Sequence, residues 1–497
     1  MEFLKTLKQN KERIICAYIF VLVYFGIDRT IEYATDSYAA LMMDDNWKVK
    51  VYDNGRVLQG LLYYVIEQFH LSAGLKYQIS YLTAFLFLGL SVYFLSSVIK
   101  KYVKGDTLSV FIAFITIVNP FFVDFFLFIE KGMFCFVIFL NVFAFSLTAE
   151  LFTNEDSRQK TYTAKKKAIL SVIVLVSLLI SVLMYQTLIS LYVVLCIVVI
   201  ALNTEKFIQK NIYIGFMYAI PMLVAFLLAR FVYPVERLSQ RESLKEAALA
   251  VFDSIEGISM EEFSYLGKGS FGVWLLILAI IVILFLALCE KCRLKHFLCI
   301  GYMTLGCVVI SFAVIFFNNS DVSPRVIYSY GSLFGMILVY VLGQSQNDIS
   351  RGRASNAIKI FSYLLIASLL LTEYTVFQKC FIERYRCNQA DLYLCNIIGE
   401  KIKEYEHETG NTIDTLCYYS DMARCWQDSG YEKTTTSVRA QATGWSRTYS
   451  LNYYLGTQYK EGEPDPKLLD YFKGINWDTY SDEQLIFDGN ILHICIY

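Results

Sequence analysis

The chain has 497 residues, of which 56% are hydrophobic, with a mean hydropathy of +0.45 and a formal net charge of −1. That much apolar surface excludes an ordinary soluble enzyme and describes a chain that lives mostly in lipid. The balanced charge excludes a nucleic-acid binder, which needs an excess of Lys and Arg to neutralise phosphates.

Taken in chain order, apolar windows of the length that crosses a hydrocarbon core of about 30 Å fall near 14–33, 77–99, 106–126, 132–152, 168–184, 186–202, 212–232, 271–289, 297–317, 327–343 and 357–378. The fold expected from them is an all-α polytopic membrane protein of about 11 transmembrane helices. The first window runs on without a small-residue cleavage site and reads as a retained anchor. Lys and Arg collect in alternate short loops: Lys5, Lys8, Lys11 and Arg13, then Lys100, Lys101 and Lys104, then Lys165, Lys166 and Lys167, with later groups around Lys206, Lys291 and Arg351. That side is expected to be cytoplasmic together with the N-terminus. An odd number of spans then puts the C-terminal segment outside.

From about residue 380 charged residues rise to about a quarter, against about a sixth before it, and the apolar runs shorten. The expected division is a membrane domain at 1–379 and a small soluble extracytoplasmic α/β domain at 380–497. Within the latter, helical spacing covers 390–406, a strand pattern covers 413–419, Pro464-Asp465-Pro466 opens a short helix, and Ile491 to Tyr497 reads as a strand. Six of the thirteen cysteines (Cys380, Cys387, Cys395, Cys417, Cys425 and Cys495) lie there, where an oxidising compartment permits disulfides. The other seven have no metal-ligand spacing, and the four histidines form no ligand pair. Trp426, Trp445 and Trp477 have faces suited to sugar stacking, although core packing is the default expectation for each.

The residues that carry chemistry are concentrated in the outer loops. The first holds Asp44-Asp45 and, twelve residues after Asp44, Arg56 in Asp53-Asn54-Gly55-Arg56. A carboxylate is suited to take a hydroxyl proton, and an arginine to hold a departing phosphate. Adjacent carboxylates repel, which raises one of them toward a useful pKa. Acidic loop residues also occur simply because they stay wet. The pair is suited to hold a hard divalent cation such as Mg or Mn loosely, but no metal is required by the sequence. The second outer loop, Asn119 to Met133, sets Asp124, Glu130 and Lys131 in an aromatic run. Charge at membrane depth is costly, so Asp124 must find a partner or a wet cavity, whereas Glu130 and Lys131 fit a span end equally well. Tyr185-Gln186 joins two apolar runs with almost no loop and suits helix capping, interhelical bonding or ligand contact. Arg325 either reaches a phosphate or pairs with Asp321, in competition with Arg230, Arg237 and Arg241.

Together, Asp44-Asp45 with Gly55-Arg56, Asn119-Pro120-Phe121-Phe122 with Glu130 and Met133, and Tyr185-Gln186 resemble the bacterial glucosyl transferase II family, the serotype-converting O-antigen type within the GT-C superfamily. The likeness covers residues 40 to 190. Val57 stands where that family often has Pro, and Lys131 where Ser often follows the acid. The resemblance implies a GT-C-like fold in a bacterial inner membrane, acting on the outer face. It implies transfer of a hexose, glucose by family, from a polyprenyl-phosphate donor to a cell-surface glycan acceptor. Asp44 or Asp45 would then be the base, and Arg56, Asp124, Glu130, Lys131, Tyr185, Gln186 and Arg325 would line the donor site. The rival classes are a flippase of lipid-linked sugars, against which the absence of internal symmetry speaks, and a glycan polymerase or ligase.

Overall fold

The computed structural model describes residues 11–26, 33–43, 45–156, 162–233, 249, 251, 270–289, 293–313, 324–348, 353–420, 438–477 and 480–496. A helix stands at each apolar window: Lys11–Phe25, Ala73–Ile99, Asp106–Ile117, Lys131–Asp156, Ala164–Met184, Ile189–Leu202, Phe207–Leu227, Ser270–Leu288, Arg293–Phe312, Leu333–Asp348 and Arg353–Thr409. Six stretches, Ala73–Ile99, Lys131–Thr153, Ala164–Met184, Phe207–Val232, Arg293–Phe312 and Asn356–Thr409, are long and apolar enough to cross a bilayer by length and composition. The chain is a multi-pass helical membrane protein with a small C-terminal α/β unit.

Three boundaries differ from the windows, each for a local reason. The helix expected over 106–126 stops at Ile117, because Asn119-Pro120 follows and a residue before proline is driven out of the helical region. Asn119 then organises the break: Oδ1 accepts from the Phe121 amide at 3.0 Å and Nδ2 donates to the Tyr328 carbonyl at 3.1 Å. The first helix ends at Phe25 instead of continuing to 33, its last turn closed by Gly26 N donating to Leu22 O at 2.7 Å. The last window extends unbroken to Thr409, so the composition change near 380 falls inside one helix.

The segment between the first two apolar windows contains two helices, Thr35–Met42 and Val57–Gln68, and a π-helical turn at Val49–Asp53. All three are too short to give a span-length signal.

The chain divides into two compact units, Met1–Arg29, Trp47–Phe126 and Glu130–Val376 in one, and Thr30–Asn46, Leu127–Ile129 and Phe377–Tyr497 in the other. In the first, Ile189–Leu202 is apolar on every face and buried from Ile189 to Ala201, as an axial helix should be. Ala73–Ile99 and Lys131–Asp156 pack through aromatic pairs such as Phe87–Phe136 at 4.8 Å and Phe94–Phe139 at 5.8 Å.

The second unit holds a four-stranded sheet in the order β2-β1-β4-β3, with β1 at Thr415–Ser420, β2 at Lys460–Glu461, β3 at Leu485–Asp488 and β4 at Ile491–Ile496. β1 runs parallel to β2 and β4, and β3 is antiparallel to β4. The strands alternate with period two. Leu416, Tyr418, Leu492 and Ile494 pack with Leu394, Ile398 and Ile402 of the long helix. Cys417, Tyr419 and Cys495 face Phe472 and Trp477 on the other side. The helix expected after Pro464-Asp465-Pro466 is Pro466–Lys473, capped by Asp465, whose Oδ1 accepts from Lys467 N at 2.9 Å.

Trp477 is therefore core. Trp445 departs from the core default: it is 65% exposed, and its Nε1 donates to Asp36 Oδ1 at 2.9 Å. Trp426 and Cys425 lie outside the described residues. Cys380, Cys387, Cys395, Cys417 and Cys495 are free thiols, so no disulfide joins the described cysteines of this unit.

Candidate functional site

The site is built on the turn that precedes the helix Val57–Gln68. The π turn at Val49–Asp53 folds the chain back on itself: Gly55 N donates to Val51 O at 3.0 Å and Arg56 N to Lys50 O at 2.8 Å. Gly55 sits at φ +65°, a left-handed conformation that favours glycine. Gly60, one turn into the next helix, lets that helix close on the turn, because a Cβ there would lie 2.3 Å from Val51 Cγ2 and 2.9 Å from the Trp47 carbonyl. The result is a fixed position for Arg56 at the start of Val57–Gln68.

Tyr185-Gln186 comes to the same place from far along the chain. Tyr185 is extended, at φ −157°, between the helix ending at Met184 and the 3-10 turn Gln186–Leu188. Its ring lies under the Arg56 guanidinium, with 4.4 Å from Cζ to the ring centroid, a cation–π contact. Phe134 and Phe125 hold that ring edge-on at 5.0 and 5.9 Å. Gln186 Nε2 donates to the carbonyls of Gly55 at 3.1 Å and Asn54 at 3.4 Å, so it clasps the two residues before the arginine. Gln59 Oε1 accepts from Arg56 Nη1 at 3.5 Å.

Beside this cluster Glu130, one of the expected donor-site residues, pairs with Lys50. Glu130 is 8% exposed and its Oε1 accepts from Lys50 Nζ at 2.9 Å. Burial alone would raise the Glu130 carboxyl, but the Lys50 ammonium and its hydrogen bond, with a further bond from the Tyr63 hydroxyl, outweigh it and hold the group below its ordinary value. Arg56 lies close enough to Tyr63 for its charge to act on that hydroxyl.

Replacing Glu130 by Gln is expected to cost roughly 1–3 kcal/mol, since the Lys50 ammonium then loses its counter-charge in a partly buried site. Because the folded carboxyl is depressed, this contribution is complete above the unfolded carboxylate pKa of about 4.3 and is lost as pH falls through the lower folded value. Thermal melts of the wild type and E130Q should accordingly differ at neutral pH and converge in acid.

Asp124 resolves its alternatives by finding a partner: it is 6% exposed, and Oδ2 lies 4.0 Å from Arg325 Nη1. Asp321 lies outside the described residues, so the competing pairing does too. Lys131 does not join the Arg56 cluster. It is 2% exposed, with its ammonium over the rings of Tyr77 at 4.2 Å and Phe126 at 5.2 Å. Arg230 is exposed at the end of a π turn, and Arg237 and Arg241 are outside the described residues.

Asp44 is also outside them. Asp45 is described, exposed in a turn of the second unit immediately before Asn46–Lys48. Among the described residues no group of three or more His, Cys, Asp or Glu side chains is arranged to hold a metal ion.

Of the expected donor-site residues, then, Arg56, Tyr185 and Gln186 converge, Glu130 joins Lys50, Asp124 joins Arg325, and Lys131 stands apart. Lys50, Gln59 and Tyr63 were not anticipated. A signal for two of them was present: Arg56, Gln59 and Tyr63 have the three- and four-residue spacing of one helix face, legible once the loop is allowed a helix.

No family model matches the chain and no curated protein matches it. Among solved structures it is similar to the archaeal oligosaccharyltransferase AglB from Archaeoglobus fulgidus in complex with an inhibitory peptide and a dolichol-phosphate. That likeness has 11% identity and a TM-score of 0.39, over 91% of this chain and 64% of that one. It is also similar to ArnT from Cupriavidus metallidurans bound to undecaprenyl phosphate, at 10% identity and a TM-score of 0.39, over 92% and 87% of the two chains. For apo ArnT the values are 12%, 0.40, 94% and 88%. This chain spans less than two thirds of the length of the oligosaccharyltransferase. At these scores the likeness carries no argument about activity.

Proposed function

We propose that this protein is a GT-C-type membrane glycosyltransferase. It moves a hexose, glucose in our reading, from a polyprenyl-phosphate donor to a surface glycan on the outer face of a bacterial inner membrane. The observation that carries the proposal is the held arginine. Arg56 is stacked on Tyr185, bonded to Gln59 and anchored through carbonyls that Gln186 grips. A guanidinium fixed in this way is preorganised for a phosphate, because its orientation is already set when the ligand arrives.

The chemistry is a single inverting displacement. The acceptor hydroxyl oxygen forms a bond to the anomeric carbon as the bond from that carbon to the phosphate oxygen breaks. The hydroxyl proton passes to Asp44 or Asp45, and the electron pair leaves with the lipid phosphate, whose charge Arg56 stabilises. A lipid phosphate is already a good leaving group, so the protein supplies mainly position and charge complementarity. Asp124 with Arg325, and Glu130 with Lys50, complete the donor side in this proposal.

No metal is needed for this displacement. Treatment with EDTA is expected to leave turnover unchanged; loss of activity restored by Mg or Mn would assign a cation to Asp44 and Asp45.

The discriminating experiment is reconstitution in vesicles with a labelled polyprenyl-phosphate hexose and an acceptor glycan. A transferase adds one hexose mass to the acceptor and releases lipid phosphate. Movement of the intact lipid-sugar across the bilayer with no new glycosidic bond would instead identify a flippase, and addition of a whole oligosaccharide a polymerase or ligase.

A further inference from the structure

Gln59, bonded to Arg56, and Thr187, next in sequence to the Gln186 that holds the residues before Arg56, carry buried hydrogen-bonding groups with no partner among the described residues. Gln59 is 0% exposed, and its Nε2 has no hydrogen-bond partner among the described residues. Thr187 is 8% exposed, and its Oγ1 is likewise without a partner among them. A buried donor left unmade is expensive, and native structures retain few without a reason.

The amide orientation at Gln59 is fixed by chemistry. Arginine only donates, so the atom facing Arg56 Nη1 must be the acceptor Oε1, which leaves Nε2 as the spare donor. Both atoms belong to one planar amide, so the spare donor is on the other arm of the group that meets the guanidinium, within the same buried cluster. An anion answers both; a hydroxyl or a carbonyl answers the arginine poorly.

Thr187 follows Gln186, whose amide grips the carbonyls of Asn54 and Gly55 directly before Arg56. Its own carbonyl is in use, accepting from Ser190 Oγ at 2.6 Å. Hydroxyls within the nearby helices bond back to a carbonyl one turn earlier, as Ser177 does to Ile173 and Thr116 to Ile112. Thr187 stands at a helix start, where the preceding chain turns at Tyr185, and does not do so.

We infer that Gln59 Nε2 and Thr187 Oγ1 are phosphate-binding donors that act with Arg56 on the lipid phosphate. This rests on the proposed donor reading and extends it to two residues outside the family resemblance.

The test uses full-length protein in detergent and undecaprenyl phosphate as the probe, with binding measured for the wild type, Q59M, T187V, R56A and the double variant R56A/Q59M. Q59M keeps the length of the side chain, adds no charge and removes both hydrogen-bonding groups. If Gln59 acts only by positioning Arg56, Q59M has no further effect once Arg56 is alanine. If it donates to phosphate, Q59M weakens affinity at least about tenfold in the R56A background as well. T187V preserves shape and deletes one hydroxyl. A purely structural threonine predicts unchanged affinity and an equal or higher melting temperature, whereas a phosphate donor predicts about a tenfold weakening at that same melting temperature.

Unchanged affinity in T187V and no further effect of Q59M on R56A, with R56A itself still weakened, overturns the inference and leaves the donor reading standing. A wild-type protein that does not bind undecaprenyl phosphate overturns both.

Discussion

The double replacement of Asp44 and Asp45 by Asn is expected to abolish glycosyl transfer while expression and membrane insertion stay intact. Asparagine keeps the shape and most of the hydrogen bonding of each side chain but cannot accept the acceptor proton. General-base catalysis contributes about 10²–10⁴ to rate, and loss of both carboxylates removes the term entirely. The single variants divide the labour: the one that falls furthest in kcat carries the proton, and the other orients the acceptor. Asp45 is exposed, and replacement of an exposed residue usually changes stability little, so melting temperature should change little. Full activity in both single variants and in the double would remove the proposed base.

The second large effect is expected at Arg56. Arg56→Ala deletes the charge placed to meet the developing phosphate, and loss of one such preorganised donor costs about 10²–10³ in turnover. Lysine should rescue little of this. Its ammonium is a point charge without the planar fork, and it stacks on Tyr185 less well than the guanidinium that now lies 4.4 Å from that ring. The kinetic signature is specific: the deficit should appear with every acceptor and scale with donor, because the residue is assigned to the leaving group. An R56A enzyme with normal donor dependence and a raised acceptor KM would move the phosphate contact elsewhere. Tyr185→Phe, which keeps the ring, should retain most activity, while Tyr185→Ala should follow R56A part of the way.

The membrane architecture was legible because lipid imposes a length and a composition that no folded detail can override, and each apolar window has a helix on it. What escaped was set by single residues or by tertiary packing. The break after Ile117 depends on Asn119-Pro120, which an apolar window passes over. The two helices of the first outer loop are too short to stand out from the surrounding polar residues. The composition change near 380 marks a change of surroundings along a helix that continues from Arg353 to Thr409.

At the site, residue types announced chemistry, but partners could not be read. Tyr185 and Gln186 lie about 130 residues from the loop they grip, and only a folded chain brings Gln186 to Gly55, at |i−j| of 131. Lys50 carried no signal of its own in the sequence, and its pairing with Glu130 spans 80 residues. Arg325 was expected to reach a phosphate or to pair with Asp321, and the fold adds Asp124, 201 positions earlier in the chain, at 4.0 Å.

The account is tested most directly by product mass. Purified protein is incubated with undecaprenyl-phosphate hexoses, glucose among them, and with envelope glycan as acceptor, and lipid and glycan are both analysed by mass spectrometry. The account predicts that one donor is consumed, that free undecaprenyl phosphate is released, and that the glycan gains the mass of a single hexose. A protein that consumes none of the donors, or that leaves every donor intact while moving it between leaflets, would contradict it.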